Sequence, residues 1–298
     1  MASGQKYLVS VDFTIVTPSY QQLEPLACCI ASVADQEGVS VEHIVHDAGT
    51  DGFAEFAETM RKVWPDRKDY RRLMISEPDR GMYDAINKGL RKGTGSICAY
   101  LNCDEQYLPA VLAQVKKGFA QHPRAEVLYG GFLVVDAKGA LVTAQRPVRM
   151  FWQHVATSHL PNFTCATFFL RSMLQREQAW FDPNFRACGD AVWTVARLRA
   201  KTPATQLPIY TSLFSENSSS LGLGKIGKEE AARLRLQQPA WVRLLGPLWK
   251  LIHRGRKLLT GGYGAFPVRT EAYFPREPRR RLPIQGRPCS LWKSRVWR

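Results

Sequence analysis

The sequence lacks any apolar run that approaches the roughly 18 residues needed to span a membrane. Its first ten residues, MASGQKYLVS, also lack the charged segment and apolar core of an export signal. No zinc-finger, RNP-type or other recognisable nucleic-acid-reading motif occurs along the chain. We therefore expect a protein that is neither exported by this route nor threaded through a bilayer, with no nucleic acid as partner.

Cysteine pairs with metal-binding spacing are missing as well. The seven cysteines are an odd number without a CxxC motif, and Cys28 and Cys29 are adjacent. This usage is typical of reduced thiols in the cytosol, where disulfides are rare. We expect no structural disulfide and a cytoplasmic protein.

Acidic residues are scarce near the end of the chain. The formal charge is +15, and residues 239–298 contain fourteen Lys or Arg against two Glu, a net charge of +12. The first 238 residues carry only +3. We predict a domain over residues 10–225, amphipathic basic helices over 226–260, and a Pro- and Arg-rich tail over 261–298 that is poorly ordered or extended.

Strand-like and helical segments alternate through the first 120 residues. The apolar, β-rich runs are 13–17, 41–47, 72–76 and 96–101. Segments with apolar residues at helical spacing lie at 21–36, 53–63, 83–90 and 109–119. Such alternation predicts an α/β fold with parallel strands and helices on both faces of the sheet. Further along, we predict a hairpin turning at 136–139 and a helix around 189–200.

Polar side chains collect where the four predicted strands end. They are Thr17, Pro18 and Ser19, then Asp47, then Glu77, Pro78 and Asp79, then Asn102, Cys103, Asp104 and Glu105. In parallel sheets, ligands bind beyond the carboxyl ends of the strands. Any one of these loops could consist simply of turn-forming residues, but four together favour a binding site.

Asp104 and Glu105 place two carboxylates side by side. Like charges repel, so a fold that keeps both close needs water around them or a cation between them. The residues alone leave both options open, a solvated acidic turn or a metal site.

The stretch SEPDRGMYDAINKGLRKGTGSICAYLNCDEQYLP resembles a segment of glycosyltransferase family 2, in which D-x-G-x-Y-D-A-x-N-K-G precedes the metal-binding carboxylates. FTIVTPSYQ and VEHIVHDAGTDG are similar to the first and second strands of that family. TCATFFLRS followed by FDPNFRACGDAVWTVARL resembles its acceptor-side segment. The resemblance covers residues 10–225. Glu105 departs from the usual second Asp, and Thr164 and Cys165 stand where a His is common.

The resemblance implies a GT-A fold, a Rossmann-like, nucleotide-binding mixed sheet flanked by helices. It implies inverting transfer of a sugar from a nucleotide-diphosphate sugar, UDP-linked rather than GDP-linked, to a hydroxyl of a lipid-linked or nascent glycan. Asp104 and Glu105 would share Mg²⁺ or Mn²⁺ with the diphosphate, and Asp190 would be the catalytic base. The donor-binding residues would be Thr17, Pro18, Ser19, Asp47, Asp79, Lys88 and Asp104.

Each of these residues also has a local interpretation. Asp47 could be a turn former, Lys88 a solvated helix residue and Asp190 a plain N-cap. Two rival functions remain as well, a non-enzymatic basic binder of nucleic acid or acidic lipid, and a sugar nucleotidyltransferase. The first gains nothing from acidic strand ends, and the second would need a Gly-rich phosphate loop near the N-terminus, which is missing.

The segment PAWVRLLGPLWKLIHRGRKLL, which begins at Pro239, is amphipathic. One helical face carries Trp241, Leu244, Leu245, Leu248, Ile252 and Leu259, and the other carries Arg243, Lys250, Arg254 and Lys257. This polarity favours peripheral binding to an anionic membrane, on the inner face of the cytoplasmic membrane. The alternative is a helix packed on the body with a solvated basic face. Pro247 predicts a kink or break.

Overall fold

The structure, a computed structural model, describes residues 10–136, 138–216 and 224–291. Most of the Ser/Gly-rich loop SENSSSLGLG, at residues 217–223, lies outside this range. The described strands of the main sheet are β1 Phe13–Ser19, β2 Val41–Asp47, β3 Tyr70–Ser76, β4 Ile97–Tyr100, β5 Glu105–Tyr107, β6 Val127–Val135, β7 Leu141–Gln145, β8 Thr167–Leu170 and β9 Ala204–Ser215. They are ordered β3-β2-β1-β4-β8-β6-β9-β5, and β7 pairs with β6.

The first four strands are parallel, as the alternating sequence pattern predicted. Their register places Ser19 beside Asp47 and Asp47 beside Ser76, so three strand ends are level. Beyond β4 the sheet is mixed, because β8 runs antiparallel to both β4 and β6. The predicted hairpin is confirmed by the antiparallel pairing of β6 and β7.

Helices cover both faces of the sheet. The helices before residue 200 are α1 Leu23–Ala34, α2 Phe53–Val63, α3 Met82–Lys92, α4 Val111–Gln121, α5 Trp152–Thr157, α6 Arg171–Arg176 and α7 Gly189–Arg199. Side chains alternate along β1, so Phe13 and Ile15 pack with α1 and α4, whereas Val16 packs with α3 and α7. This layered arrangement confirms the α/β fold.

A close contact between α3 and β1 depends on Gly89. A Cβ atom at this position would lie 2.5 Å from Cγ1 of Val16, which is closer than real Cβ contacts. The glycine therefore allows α3 to lie directly on β1. That packing fixes α3 behind the sheet edge where the polar residues collect.

Three further helices follow the sheet, α8 Lys225–Leu236, α9 Ala240–Leu244 and α10 Gly246–Leu259. The predicted break near Pro247 is confirmed, because α9 ends before it and Pro lies in the first turn of α10. Across the described ranges, the helices are too short or too polar to cross a membrane.

The segment after residue 260 was expected to be poorly ordered or extended, and its described part is extended and paired. Strands β10 Val268–Phe274 and β11 Glu277–Gly286 pair as an antiparallel hairpin. Val268, Ala272 and Ile284 on this hairpin belong to the main hydrophobic core. The Pro and Arg content suggested a solvated chain, but these three apolar residues of the hairpin are buried together.

Candidate active site

The first strand end directs its side chains differently from the sequence expectation. Thr17 is fully buried, and its hydroxyl lies 2.9 Å from Nε2 of His43 and 3.5 Å from the thiol of Cys29. Its hydroxyl therefore faces the core in this structure, and a contact of Thr17 with a nucleoside stays a prediction. Pro18 and Ser19 are also buried, and Oγ of Ser19 has no hydrogen-bond partner in the described part of the chain.

The carboxylate of Asp47 organises its own turn. It accepts hydrogen bonds from the backbone of Gly49 at 2.9 Å and of Thr50 at 2.6 Å, and from the Thr50 hydroxyl at 2.7 Å. Thr50 also accepts a bond from the backbone of Gln21, which ties the first loop to the second. The turn-forming interpretation of Asp47 thus describes the structure, and a donor contact stays a prediction.

The third strand end carries a charged cluster around His46. Nε2 of His46 lies 3.1 Å from Glu77, and Nδ1 lies 3.7 Å from Asp79. The hydrogen bond with His46 is the main cause that lowers the pKa of Glu77. Lys88 donates to the carbonyl of Pro78 at 2.8 Å, so it lies over the same turn as Asp79. The sequence analysis did not include His46, which lies on β2 beside this loop.

The fourth strand end holds the acidic pair. Asp104 is half-buried and Glu105 is buried. One carboxylate oxygen of Glu105 accepts a 2.7 Å bond from the backbone of Asn102, and the thiol of Cys165 donates to the carboxylate. Burial, followed by the charge of Asp104, raises the pKa of Glu105 to about 8. The two carboxylates are therefore close enough to repel each other.

The donor atoms in this loop fit a hard divalent cation. Beside the two carboxylates, Oδ1 of Asn102 is buried and has no hydrogen-bond partner among the described residues. Buried polar atoms are usually satisfied, so this amide oxygen is free to serve as a ligand. Mg²⁺ and Mn²⁺ prefer oxygen ligands of this kind. Asp104 and Glu105 would hold the ion, and Asn102 is a third candidate ligand that the sequence analysis missed.

Asp190 lies in the first turn of α7 and is half-buried. Its Oδ1 accepts bonds from the backbone of Ala191 at 2.7 Å and from the hydroxyl of Tyr83 at 3.2 Å. Burial raises its pKa to about 6 despite both bonds, which act in the opposite direction. The N-cap position is Cys188, and no side-chain cap bond is present there. Asp190 is therefore not a plain N-cap.

Glu230, on α8, orders the segment that leads to Asp190. Its carboxylate accepts bonds from the backbone N–H groups of Arg186, Ala187 and Cys188 at 2.7 to 2.9 Å. Gly189 follows, and a Cβ there would lie 2.6 Å from the ring of Tyr83. The sequence analysis missed Glu230 because it lies on a helix 40 residues beyond Asp190 and no local motif marks it.

Tyr100, on β4, is influenced by carboxylates from both the acidic loop and α7. Burial is the main cause that raises its pKa well above the usual value, and the charges of Asp190 and Glu105 both contribute. Its side chain is hydrogen-bonded to Thr164. Asp190 and Glu105 are thus both within electrostatic reach of one phenol, at the edge where the sheet changes from parallel to mixed pairing.

The profile described as "Glycosyl transferase family 2" matches residues 14–177, more than half of the chain. The chain belongs to glycosyltransferase family 2. This family assignment confirms the resemblance on which the sequence analysis relied. The matched range includes the acidic pair and ends before Asp190.

Two curated relatives illustrate the similarity. A PGL/p-HBAD biosynthesis glycosyltransferase of Mycobacterium bovis is 27% identical over 124 residues, covering 41% of this chain and 47% of the relative. The succinoglycan biosynthesis protein ExoO of Rhizobium meliloti is 28% identical over 167 residues, covering 56% of this chain and 44% of that protein. The chain thus spans about half the length of these relatives.

Solved structures share the fold at low identity. S. aureus TarS 1-349, determined in complex with UDP-GlcNAc, matches 85% of this chain and 75% of its own with a TM-score of 0.55 and 12% identity. The mannosyltransferase PcManGT from Pyrobaculum calidifontis, in complex with GDP-Man and Mn²⁺, matches 87% and 77% with a TM-score of 0.52 and 16% identity. These likenesses show the GT-A fold.

Proposed function

We propose that the chain is an inverting glycosyltransferase that moves a sugar from a nucleotide-diphosphate sugar to a hydroxyl group of an acceptor. The observation that carries the proposal is that Glu105 and Asp190, far apart in the sequence, both lie within electrostatic reach of the buried phenol of Tyr100. Asp104 and Glu105 would form a cation site at the fourth strand end, and Asp190, whose pKa is raised, would act on the acceptor. One set suits a leaving diphosphate and the other a nucleophilic hydroxyl.

The donor would bind along the level strand ends. Ser19, Asp47 and Asp79 would contact the nucleoside, and Lys88 would supply positive charge to the phosphates. A bound Mg²⁺ or Mn²⁺ would neutralise the negative charge that the diphosphate gathers as it leaves. The UDP-GlcNAc complex of TarS and the GDP-Man and Mn²⁺ complex of PcManGT support this class of donor and cofactor. We propose a UDP-sugar as the donor.

Asp190 would take the proton of the acceptor hydroxyl as that oxygen attacks the anomeric carbon. A base with a pKa near 6 is largely deprotonated at neutral pH and still accepts a proton more readily than an ordinary Asp. The bonds from Tyr83 and Ala191 hold the carboxylate in place. Glu230 would support it by ordering the preceding loop.

We propose a lipid-linked or nascent glycan as the acceptor, with the protein bound peripherally to the inner face of the cytoplasmic membrane. One face of the basic helices packs on the body, and other apolar side chains of the same helices remain exposed for contact with a membrane. Val242 and His253 are buried against the body, whereas large apolar side chains on the opposite face are exposed. The exposed set is Trp241, Leu244, Leu245, Leu248, Leu251, Leu258 and Leu259. Lys250 and Arg254 are also exposed, and exposed apolar and cationic side chains on the same helices suit an anionic bilayer.

The proposal is tested by transfer of labelled sugar from a panel of UDP- and GDP-sugars to synthetic lipid-linked saccharides in the presence of Mn²⁺. We expect transfer from a UDP-sugar, with inverted anomeric configuration in the product by NMR. Retained configuration, or transfer without any nucleotide sugar, would contradict it.

A further inference from the structure

Three of the six histidines meet at a place distant in sequence from the acidic loop. His154 lies in α5, His159 follows that helix and His253 lies in α10. One ring nitrogen of each lies within 4.8 Å of the other two. The ring centroids are 4.1 Å apart for His154 and His253 and 4.7 Å apart for His154 and His159. The fold thus brings together three imidazoles from two segments about a hundred residues apart.

Two of these rings carry buried nitrogens with unused hydrogen-bonding capacity. His154 is 1% exposed and His253 is 6% exposed. Within the described ranges, Nε2 of His154 and Nδ1 of His253 have no hydrogen-bond partner. Buried polar atoms rarely remain unpaired. An ion bound between the rings would satisfy both nitrogens.

His159 provides the third nitrogen and a route to solvent. Its side chain is exposed, and its Nδ1 lies 3.0 Å from the hydroxyl of Ser158. That bond occupies one ring nitrogen and leaves Nε2 for a ligand. In metal sites, a hydrogen bond at the ring nitrogen that does not bind the metal commonly orients the histidine.

The three imidazoles are neutral, which is the protonation state that binds metals. Burial lowers the pKa of His154 to about 3 and that of His253 to about 4, and it lowers the pKa of His159 too. Lys250, Arg254, Arg256 and Lys257 contribute from α10. A neutral imidazole can donate its lone pair without first losing a proton. These positive side chains repel any divalent cation. The imidazole nitrogens must therefore supply the binding energy, which favours metals that prefer nitrogen ligands.

We propose that His154, His159 and His253 form a transition-metal site, with Zn²⁺ as the first candidate, that fastens α10 to α5. Zn²⁺ accepts three imidazole ligands and leaves a fourth position, here on the side of exposed His159, for water or an anion. The nitrogen set distinguishes this site from the oxygen set around Asp104, which suits Mg²⁺ or Mn²⁺.

Loading the site requires a small rearrangement. Zn–N bonds of 2.0 to 2.1 Å in a tetrahedron place the nitrogens roughly 3.4 Å apart. The rings of His154 and His253 are nearly parallel, with an interplanar angle of 16°. At least one of them must turn about its side-chain torsions to direct its lone pair at the ion, and exposed His159 can move to meet it.

The test uses the full chain without a histidine tag, stripped with a chelator and titrated with Co²⁺ and then Zn²⁺. We expect one visible Co²⁺ absorption per chain of the intensity typical of tetrahedral coordination, displaced by equimolar Zn²⁺. The unfolding temperature should rise by several degrees with Zn²⁺. His159→Gln should weaken Zn²⁺ binding at least tenfold, and because this side chain is exposed, the variant should still fold.

His122→Gln is the matched control, since His122 is exposed and lies outside the cluster. It should bind Zn²⁺ as tightly as the original chain, and so should Asp104→Asn. Equal affinity of His159→Gln and His122→Gln, absence of the Co²⁺ band, or a thiolate-to-Co²⁺ band would each overturn the proposal. The three rings would then be a packed cluster of neutral side chains.

Discussion

The hydroxyl of Tyr83, on α3, donates a hydrogen bond to the carboxylate of Asp190, on α7, at 3.2 Å. The two residues are 107 positions apart in the sequence. The bond favours the charged form of Asp190 and so opposes the effect of burial on its pKa. The phenol therefore both places the proposed base and adjusts its basicity.

Removal of this bond should move the pH profile. At present the pKa of Asp190 is raised to about 6, so kcat/KM should fall about tenfold per pH unit below pH 6. Tyr83→Phe removes a donor to the charged form, and the acidic limb should shift upwards by about one pH unit. The profile is measured from pH 4.5 to 8. An unshifted limb, or a downward shift, would show that Tyr83 does not act on the base.

Asp190→Asn should separate transfer from donor binding. A general base contributes roughly 10²- to 10⁴-fold to the rate, so transfer should fall by at least 100-fold. The nucleotide affinity should change little, because the side chain would act on the acceptor hydroxyl. Steady-state kinetics and calorimetric donor titrations measure the two quantities.

Asp182→Asn is the matched control, because Asp182 lies on the same segment and its carboxylate accepts hydrogen bonds from Asn184 in a local turn. This variant should keep the transfer rate and the donor affinity of the original chain. A parallel loss of transfer, donor affinity and unfolding temperature in Asp190→Asn would identify Asp190 as a structural residue.

The hairpin β10–β11 should contribute strongly to stability. Arg281 is 6% exposed at its side chain and donates to Asp35 at 2.5 and 2.8 Å and to the carbonyl of Tyr107 at 3.0 Å. Arg281→Ala leaves the Asp35 carboxylate with one less partner, so the free energy of unfolding should fall by about 3 kcal/mol. Denaturant unfolding measures this change.

Arg280→Ala, at a neighbouring side chain that is 73% exposed, provides the comparison. Its effect should stay within about 0.5 kcal/mol. Equal effects of the two substitutions would mean that the hairpin does not depend on the Asp35 contact.

Membrane binding should depend on the exposed side chains of α9 and α10. Lys250→Glu combined with Arg254→Glu removes two cations worth about 1 kcal/mol each near an anionic surface, so vesicle affinity should fall at least 30-fold. Sedimentation with vesicles containing anionic lipid measures this. The same charge change at Lys225 and Lys228, exposed on α8, is the control and should have a smaller effect. Equal losses of vesicle affinity in the α8 and α10 variants would indicate that the protein binds membranes through its net charge alone.

The sequence was sufficient where the signal is local. The run 41–47 is a continuous buried strand, and α2 spans the predicted Phe53–Val63, because apolar spacing within one element determines burial there. The resemblance singled out the acidic pair and Asp190, and both sets of carboxylates affect the pKa of Tyr100 in the structure. Their exact roles remain predictions.

Contacts between distant segments were not readable from the sequence. Composition cannot distinguish a solvated Arg from Arg281, whose partner Asp35 lies 246 residues away. For the same reason Glu230 gave no signal, since its three backbone partners are visible only when α8 is placed against the loop before α7. The hydrogen bond between the Thr17 hydroxyl and His43 was also not readable, because strand periodicity does not reveal which side chains of neighbouring strands meet.

The most direct test of the account is a calorimetric titration of the chain with a UDP-sugar, with Mn²⁺ and then with an excess of chelator. We expect binding with Mn²⁺ that weakens at least tenfold in chelator, and a similar loss in Asp104→Asn and Glu105→Gln with the metal present. Asp69→Asn, at an exposed side chain before β3 and so at the opposite, amino end of the parallel strands, should bind as the original chain does. Donor affinity that is equal with and without chelator, and unchanged in both acidic-pair variants, would contradict a metal-assisted nucleotide-sugar site at this sheet edge.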